Sequence, residues 1–443
     1  MQIQFWGTRG SLAKPGPGTL RYGGNTSCIE VRTGSGTLIV FDCGTGAHGL
    51  GQALMAKGAP IRGHLMATHT HWDHIQGFPF FAPLFGRGHE WDIYAPGGLG
   101  LQLEQTLAGQ MEYTYFPVTL AQLGATIRYH DLVEGSFAVD DVRVVTKYLN
   151  HPALALGYRL EVGAVSVVYA SDHEPHTPWA LTETTRGAAS LAHREDLRHV
   201  EFLAGADLVI HDAQYDLGEY REKIGWGHTP AECAVDYALA ARVRRLALYH
   251  HEPMRDDAGV DDLVETCRRR VAAAGGQLAV FAAAEGQVVE LAEGTGAKAA
   301  AAHPSVAPSR ARGETILVAD DDPAIVMLLR ASLESDGFRV VTADDGMAAL
   351  DLARVERPAL MLLDWQMPRA SGVEVTRALR GDADPDLAAT PVVLITAQSG
   401  SESTAAGFAA GVTDYLTKPF RPAHVRARVR AWLLRRNAGG AGA

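Results

Sequence analysis

The sequence has few cysteines, and none of them are paired by spacing. Cys28, Cys43, Cys233 and Cys267 are scattered over 443 residues, which excludes a disulfide framework and a zinc ribbon and predicts reduced, packed thiols. No apolar stretch is long enough to span a bilayer, and the start, Met1-Gln2-Ile3-Gln4-Phe5, lacks the charged-then-apolar order of a secretion signal. A cytoplasmic location with no membrane role is therefore expected. A basic excess is also missing: the formal net charge of -11 argues against general nucleic-acid binding, although a local basic groove fits within that total.

Hydrophobic residues make up 47% of the chain, ample for folded domains, and the length exceeds what one core normally organises. Residues 292–313, AEGTGAKAAAAHPSVAPSRARG, carry Ala, Gly, Pro and Ser without hydrophobic periodicity, as a flexible linker does. The expected organisation is one domain over 1–291, this linker, a second domain over 314–437 and a disordered tail over 438–443. In the first domain, short runs such as Leu38 to Phe41, Val165 to Tyr169, Leu208 to Ile210 and Leu246 to Tyr249 read as strands. Pro230 to Arg242 and Asp261 to Ala274 read as helices.

The most informative stretch is His69-Thr70-His71-Trp72-Asp73-His74, which follows the apolar run His64 to Thr68. Imidazoles with a carboxylate suit zinc and its borderline neighbours. Side chains alternating through an extended segment and its turn cannot all converge on one ion, so His69 and His71 point to one site while Asp73 and His74 begin another.

The motif HTHWDH resembles the H-x-H-x-D-H signature of metallo-β-lactamase fold hydrolases. His151 in LNHP, Asp172 in YASDHE and His250 in LALYHHEP follow in the order of that family's remaining ligands. The resemblance implies an α/β fold, an αββα sandwich with metals at one loop edge. It places His69, His71 and His151 on one metal, Asp73, His74 and His250 on the other, and Asp172 between them. Two divalent transition-metal ions are expected, with zinc leading and manganese or iron as alternatives.

FWGTRGS, GGNTSC at 23–28 and FDCGTG at 41–46 resemble the amino-terminal half of ribonuclease Z and its phosphodiesterase relatives. HDAQY at 211–215 with GWGHTP at 225–230 resembles the segment in which that branch presents a catalytic histidine, here His228, with Pro230 expected at helix position N1. Asp42 is either a carboxylate orienting a ligating imidazole or a turn residue. Motif alignment selects His250 over His251, which would then stand behind the ligands or face substrate. His173 and His176 are candidates to line the pocket, whereas His48, His64, His89, His193 and His199 read as surface or packing residues. The segment Ala82 to Lys147 is expected to shape the pocket. In the chemistry implied, metal-activated water attacks phosphorus, Asp73 binds metal and holds the attacking group, and His228 assists the leaving side.

The second domain reads differently. ETILVADDDPAI at 314–325 and LMLLDWQMP at 360–368 are apolar strands that run into acids, VVLITA and DYLTKPF complete two more, and Ala324 to Ser335 and Gly372 to Arg380 are helical. These residues resemble a response-regulator receiver domain, a doubly wound (βα)5 fold. The resemblance implies Mg²⁺ held by Asp320, Asp321 and the phosphoacceptor Asp364, a phosphoryl group met by Thr396 and Lys418, and an aromatic switch at Tyr415. It also implies a sensor histidine kinase or phosphotransfer protein as partner, and the carboxyl-terminal helix, Pro422 to Arg436, reads either as a homodimer face near Trp432 or as an amphipathic helix with an Arg-rich solvated side.

The expectation is a phosphodiesterase, acting on a small molecule or RNA and regulated by aspartyl phosphorylation. The alternatives are hydrolysis of a thioester, lactone or lactam on the same fold, and a non-catalytic metal-binding signalling or scaffold protein.

Overall fold

The structure is a computed structural model that describes residues 1–96, 103–176, 194–292, 313–396, 410–418, 420, 425–426, 428–429 and 432–433. The chain divides into two units, one built on 1–175 with 182–305 and the other on 176–181 with 306–443.

In the first unit the strands are β1 (Gln2–Gly7), β2 (Cys28–Arg32), β3 (Leu38–Phe41), β4 (Arg62–Met66), β5 (Glu90–Pro96), β6 (Thr126–Leu132), β7 (Gly135–Val139), β8 (Val142–Leu149), β9 (Ala155–Val162), β10 (Val165–Ala170), β11 (Leu208–Asp212), β12 (Arg245–Tyr249), β13 (Ala279–Ala282) and β14 (Val288–Glu290). They form two sheets, ordered β14-β1-β2-β3-β4-β5-β6 and β13-β12-β11-β10-β9-β8-β7. In each sheet the pairing is antiparallel on one side and becomes parallel on the other: β3, β4, β5 and β6 run parallel in the first, as do β10, β11, β12 and β13 in the second.

Phe41 of the first sheet packs against Tyr158 and Tyr169 of the second at ring-centroid distances of 5.6 and 5.0 Å. Two buried tyrosines reach across with their hydroxyls, Tyr158 to the Ala67 carbonyl (2.6 Å) and Tyr249 to the Gly7 carbonyl (2.6 Å), so their rings fill the layer while their phenols stay paired. Outside the first sheet, Leu50 and Leu54 of the helix Gly46–Met55 join Val40, Leu65, Trp91 and Ile93 in one core. The architecture is the αββα sandwich expected.

The helix expected at Asp261 begins a turn earlier, as Asp257–Ala273, because Asp256 accepts from the Gly259 amide (2.8 Å) and caps it. The helix expected from Pro230 is Ala231–Ala240, and Pro230, extended at ψ 137°, is its N-cap rather than N1.

The second unit holds one parallel sheet of β15 (Thr315–Ala319), β16 (Arg339–Ala343), β17 (Leu360–Asp364), β18 (Val392–Thr396) and β19 (Asp414–Thr417), in the order β16-β15-β17-β18-β19. Alternate residues of the same strands enter two cores, Leu317, Leu363 and Leu394 on one face and Val318, Leu362 and Val393 on the other. Burial on both faces explains why these strands read as unbroken apolar runs.

Trp432, expected near a pairing surface, is buried and donates its indole N–H to Asp414 (2.8 Å) beside Arg428. It is a core residue, which removes it from any dimer face. Val425, Val429 and Leu433 join Trp432 in the core, while the undescribed remainder of the expected Pro422–Arg436 helix, most of the 292–313 linker and the 438–443 tail lie outside the described residues.

Among the described residues, no helix is long and apolar enough to cross a membrane. All four cysteines are buried and free.

Candidate metal centre

The carboxyl ends of the parallel strands and the turn after β8 bring the histidine motif together with residues far away in the chain, as distant as His250. His69, His71, Asp73 and His74 follow β4, His151 follows β8, Asp172 follows β10 and His250 follows β12. All except His71 are buried.

Asp172 lies at the centre. Its Oδ1 is 3.2 Å from His74 Nε2 and 3.3 Å from His250 Nε2. Its Oδ2 is 3.6 Å from His69 Nε2 and 3.7 Å from His151 Nε2. One carboxylate thus faces two ligand groups with different oxygens: His69, His71 and His151 on one side, Asp73, His74 and His250 on the other. Asp73 Oδ2 is 3.3 Å from His74 Nε2 and 3.1 Å from His250 Nε2.

The imidazoles are oriented from behind. His74 Nδ1 donates to Asp42 (2.8 Å), His151 Nδ1 to the Gly227 carbonyl (3.0 Å) and His250 Nδ1 to Gln214 Oε1 (3.0 Å). Each bond commits the Nδ1 proton outward and leaves the Nε2 lone pair directed inward, as a ligating imidazole requires. Asp42 also accepts from the Thr68 amide (2.7 Å) and the Tyr169 hydroxyl (2.6 Å), so it orients an imidazole rather than merely making a turn. Gly227 is required at its position: its φ is 90°, and a Cβ there would sit 2.2 Å from His151 Nδ1. Asp42, Asp172 and His250 hold φ values of 55°, 60° and 62°, left-handed conformations that persist where the surroundings overrule local preference.

Whether cations fit can be tested on the nitrogens themselves. His151 Nε2 lies 3.1 Å from His71 Nδ1, His74 Nε2 lies 3.3 Å from His250 Nε2, and His69 Nε2 is buried without a hydrogen-bond partner. Lone pairs that converge without enough protons between them call for positive charge. Burial holds His69 and His151 well below the usual imidazole range, in the neutral form that binds metal. Burial alone would raise Asp172, but His250, His74 and His69 reverse this and hold it well below the carboxylate range. The donor set suits divalent transition metals, with nothing to rank zinc above manganese or iron.

A cavity of about 480 Å³ opens over this cluster, lined among others by Ser11, Trp72, Asp73, Asp172 and His228. His228 donates Nδ1–H to Asp212 (2.8 Å), stacks on His250 at 5.0 Å and lines the cavity, with Nε2 left over from that bond. Burial opposes its charged form, yet Asp212 outweighs burial and its pKa is pushed up to about 9.

In the second unit, β15 ends beside Asp320 and Asp321, β17 at Asp364, and β18 at Thr396. Lys418 reaches Asp320 (2.8 Å) and Asp364 (2.5 Å). Burial raises the Asp320 carboxyl, with repulsion from Asp364 adding to it and Lys418 opposing. Asp321 is exposed at the mouth of this acidic pocket, and the Tyr415 side chain lies outside the described residues.

Residues 37–251 match the β-lactamase superfamily domain and residues 316–430 the response regulator receiver domain. The chain thus carries a β-lactamase superfamily domain and, after it, a response regulator receiver domain. The receiver segment is 47% identical over 121 residues to the response regulator MprA of Mycobacterium tuberculosis, covering 27% of this chain and 50% of that protein. The chain thus spans about half the length of the curated relatives it matches. The β-lactamase superfamily part is similar to the metallo-β-lactamase fold protein YhfI of Bacillus subtilis, at 19% identity and TM-score 0.46, covering 65% of this chain and 98% of that one. It is also similar to the short form of human tRNase Z, at 20% identity and TM-score 0.43, covering 66% and 99%.

Several sequence expectations for the β-lactamase superfamily domain need correction. His173 does not line the cavity. It stacks on His199 at 3.9 Å, and His199 in turn contacts His211 with 2.9 Å between Nε2 atoms, so three buried histidines pack behind the cluster. His251 is buried and bonds the Ala283 carbonyl (2.8 Å), facing away from any substrate. Among the described residues, none from 82–147 lines the cavity, because that segment builds β5 to β8 instead.

Sequence reasoning missed Asp212, Gln214 and Glu174. Glu174 accepts from the amides of Gly225 (2.6 Å) and Gly227 (2.8 Å) and so fixes the loop that carries His228. Asp212 had a readable signal: an acid ending the apolar run Leu208–Ile210, the same sign that identified Asp364.

Proposed function

We propose that residues 1–291 form a dinuclear metal-dependent phosphodiesterase, and that phosphorylation of Asp364 within residues 314–437 regulates it, with 292–313 as the flexible connector. The observation that carries the reading is the Asp172 carboxylate divided between two inward-facing histidine groups, with His228 and its Asp212 partner on the rim of the same cavity. His69, His71 and His151 would hold one ion and Asp73, His74 and His250 the other. Bound there, divalent cations supply Lewis acidity and water that ionises near neutral pH.

The chain's own groups do the rest. Asp73 orients the attacking water. His228, protonated at neutral pH through Asp212, gives its Nε2 proton to the departing oxygen, although nearby cations would draw its pKa down from about 9. In the receiver, Asp320 and Asp321 would bind Mg²⁺ with Asp364, and Lys418 would meet the phosphoryl group along with Thr396, while Tyr415 relays the change. A sensor histidine kinase or phosphotransfer protein is the expected phosphoryl donor.

The test is elemental analysis together with turnover of bis-p-nitrophenyl phosphate, cyclic nucleotides, a structured RNA and a β-lactam. About two transition-metal ions per chain with diester turnover is the expected result. A metal-free chain that added metal does not activate, or turnover of the lactam alone, would overturn the reading.

A further inference from the structure

The segment Thr8–Ser11 is held from several sides. The amides of Thr8 and Arg9 both donate to the Asn25 carbonyl (2.9 Å each), the Gly10 amide donates to the His251 carbonyl (3.0 Å), and the Ser11 amide donates to Asp73 Oδ2 (2.7 Å). At position 10 no side chain fits, since a Cβ would lie 2.4 Å from His250 Nδ1. At position 11 the situation is reversed. Ser11 has a φ of 59°, a left-handed conformation that glycine would take freely, yet the chain carries a serine whose side chain is exposed in the cavity beside Asp73, Asp172 and His228.

The orientation of that hydroxyl follows from Gln214. Its Oε1 accepts from His250 Nδ1 (3.0 Å), so the group 3.3 Å from Ser11 Oγ is the amide NH₂. Gln214 therefore donates to Ser11, and the hydroxyl proton is left to point elsewhere. Asp73 Oδ2 and both Asp172 oxygens already face histidines, and the cavity lies open to the hydroxyl.

We propose that Ser11 contacts the substrate, its hydroxyl donating to a non-bridging phosphoryl oxygen on the side of the cavity held by Asp73. The proposal rests on the phosphodiesterase reading above, and a strained serine in place of an unstrained glycine is the feature it explains.

The test uses the full chain loaded with divalent metal and compares wild type with Ser11→Ala and Ser11→Gly. It reads kcat/KM on bis-p-nitrophenyl phosphate, the affinity for inorganic phosphate by calorimetry, metal content and melting temperature. A hydrogen bond to a charged oxygen is worth ~10- to 100-fold, so both variants should lose that much in kcat/KM and bind phosphate more weakly, with metal content unchanged. Ser11→Gly should melt no lower than wild type, because it relieves the left-handed strain.

Wild-type turnover and phosphate affinity in Ser11→Gly would overturn the proposal, reducing Ser11 to a backbone role. Metal loss in both variants would overturn it as well, assigning Ser11 to holding Asp73. If wild type neither cleaves the diester nor binds phosphate, the phosphodiesterase reading fails and this proposal falls with it.

Discussion

The two acidic sites of this chain solve opposite electrostatic problems. In the receiver, Lys418 sits between Asp320 and Asp364, so an internal cation offsets part of their negative charge. In the β-lactamase superfamily domain no lysine or arginine among the described residues enters the ion pairs of the cluster; imidazoles face Asp73 and Asp172 instead, and some face each other, as His74 and His250 do at 3.3 Å. The first arrangement carries a cation of its own among its acids. The second is a set of converging lone pairs that calls for ions to be complete.

Replacing His228, the proposed proton donor, should produce the largest effect. His228→Ala is expected to lower turnover by ~10²- to 10⁴-fold on substrates with poor leaving groups, with metal content intact, and by less with p-nitrophenolate. Equal loss on good and poor leaving groups would reassign His228 to positioning.

Chelation tests the contrast directly. Ligand binding at a thousandfold excess over Kd stabilises by about 4 kcal/mol, so stripping metal should lower the melting of the β-lactamase superfamily domain and leave the receiver transition in place. Calorimetry in which both transitions move together, or neither does, would break the comparison.

Asp42→Asn, which keeps the volume but removes the charge behind His74, should weaken metal binding by ~10- to 100-fold, measured by titration with a metal indicator. An unchanged affinity would limit Asp42 to packing.

Phosphorylation of Asp364 with acetyl phosphate and Mg²⁺ is expected to change hydrolysis within the ~5- to 150-fold range of allosteric couplings, and Asp364→Ala should abolish the response. Unaltered turnover in a chain shown to be modified would separate the two activities.

The smallest effect concerns pH. Burial works against the Lys418 ammonium, but Asp320 and Asp364 outweigh it and raise its pKa above the ordinary 10.5. A raised pKa contributes stability that is complete below the unfolded value and is lost as pH rises through the folded one. Receiver stability should therefore fall as pH climbs past the ordinary lysine range, and Lys418→Met should flatten that dependence in denaturant melts.

The receiver was the more legible half because its pocket is built from strand ends of one parallel sheet: an apolar run followed by an acid or threonine marks Asp320, Asp364 and Thr396 in the sequence itself. In the first domain the motif His69–His74 was equally plain, since its residues are neighbours in the chain. The helix Asp257–Ala273 was read short at its start because its cap, Asp256, precedes the first apolar position, Val260. Asp42 was ambiguous because an acid before glycine serves a turn as readily as an imidazole.

Residue types, their order and the alternation of apolar runs are properties of the chain, and they carried the fold class, the candidate ligands and the receiver pocket. Direction belonged to tertiary structure. His250 faces Asp172 and His251 the Ala283 carbonyl because adjacent residues at a strand end point apart, and the left-handed turn at His250 sets which is which. Asp212 behind His228, Gln214 behind His250 and Glu174 beneath the Gly225–Gly227 loop became visible only with the fold, because a hydrogen bond between residues distant in the chain leaves no spacing to read.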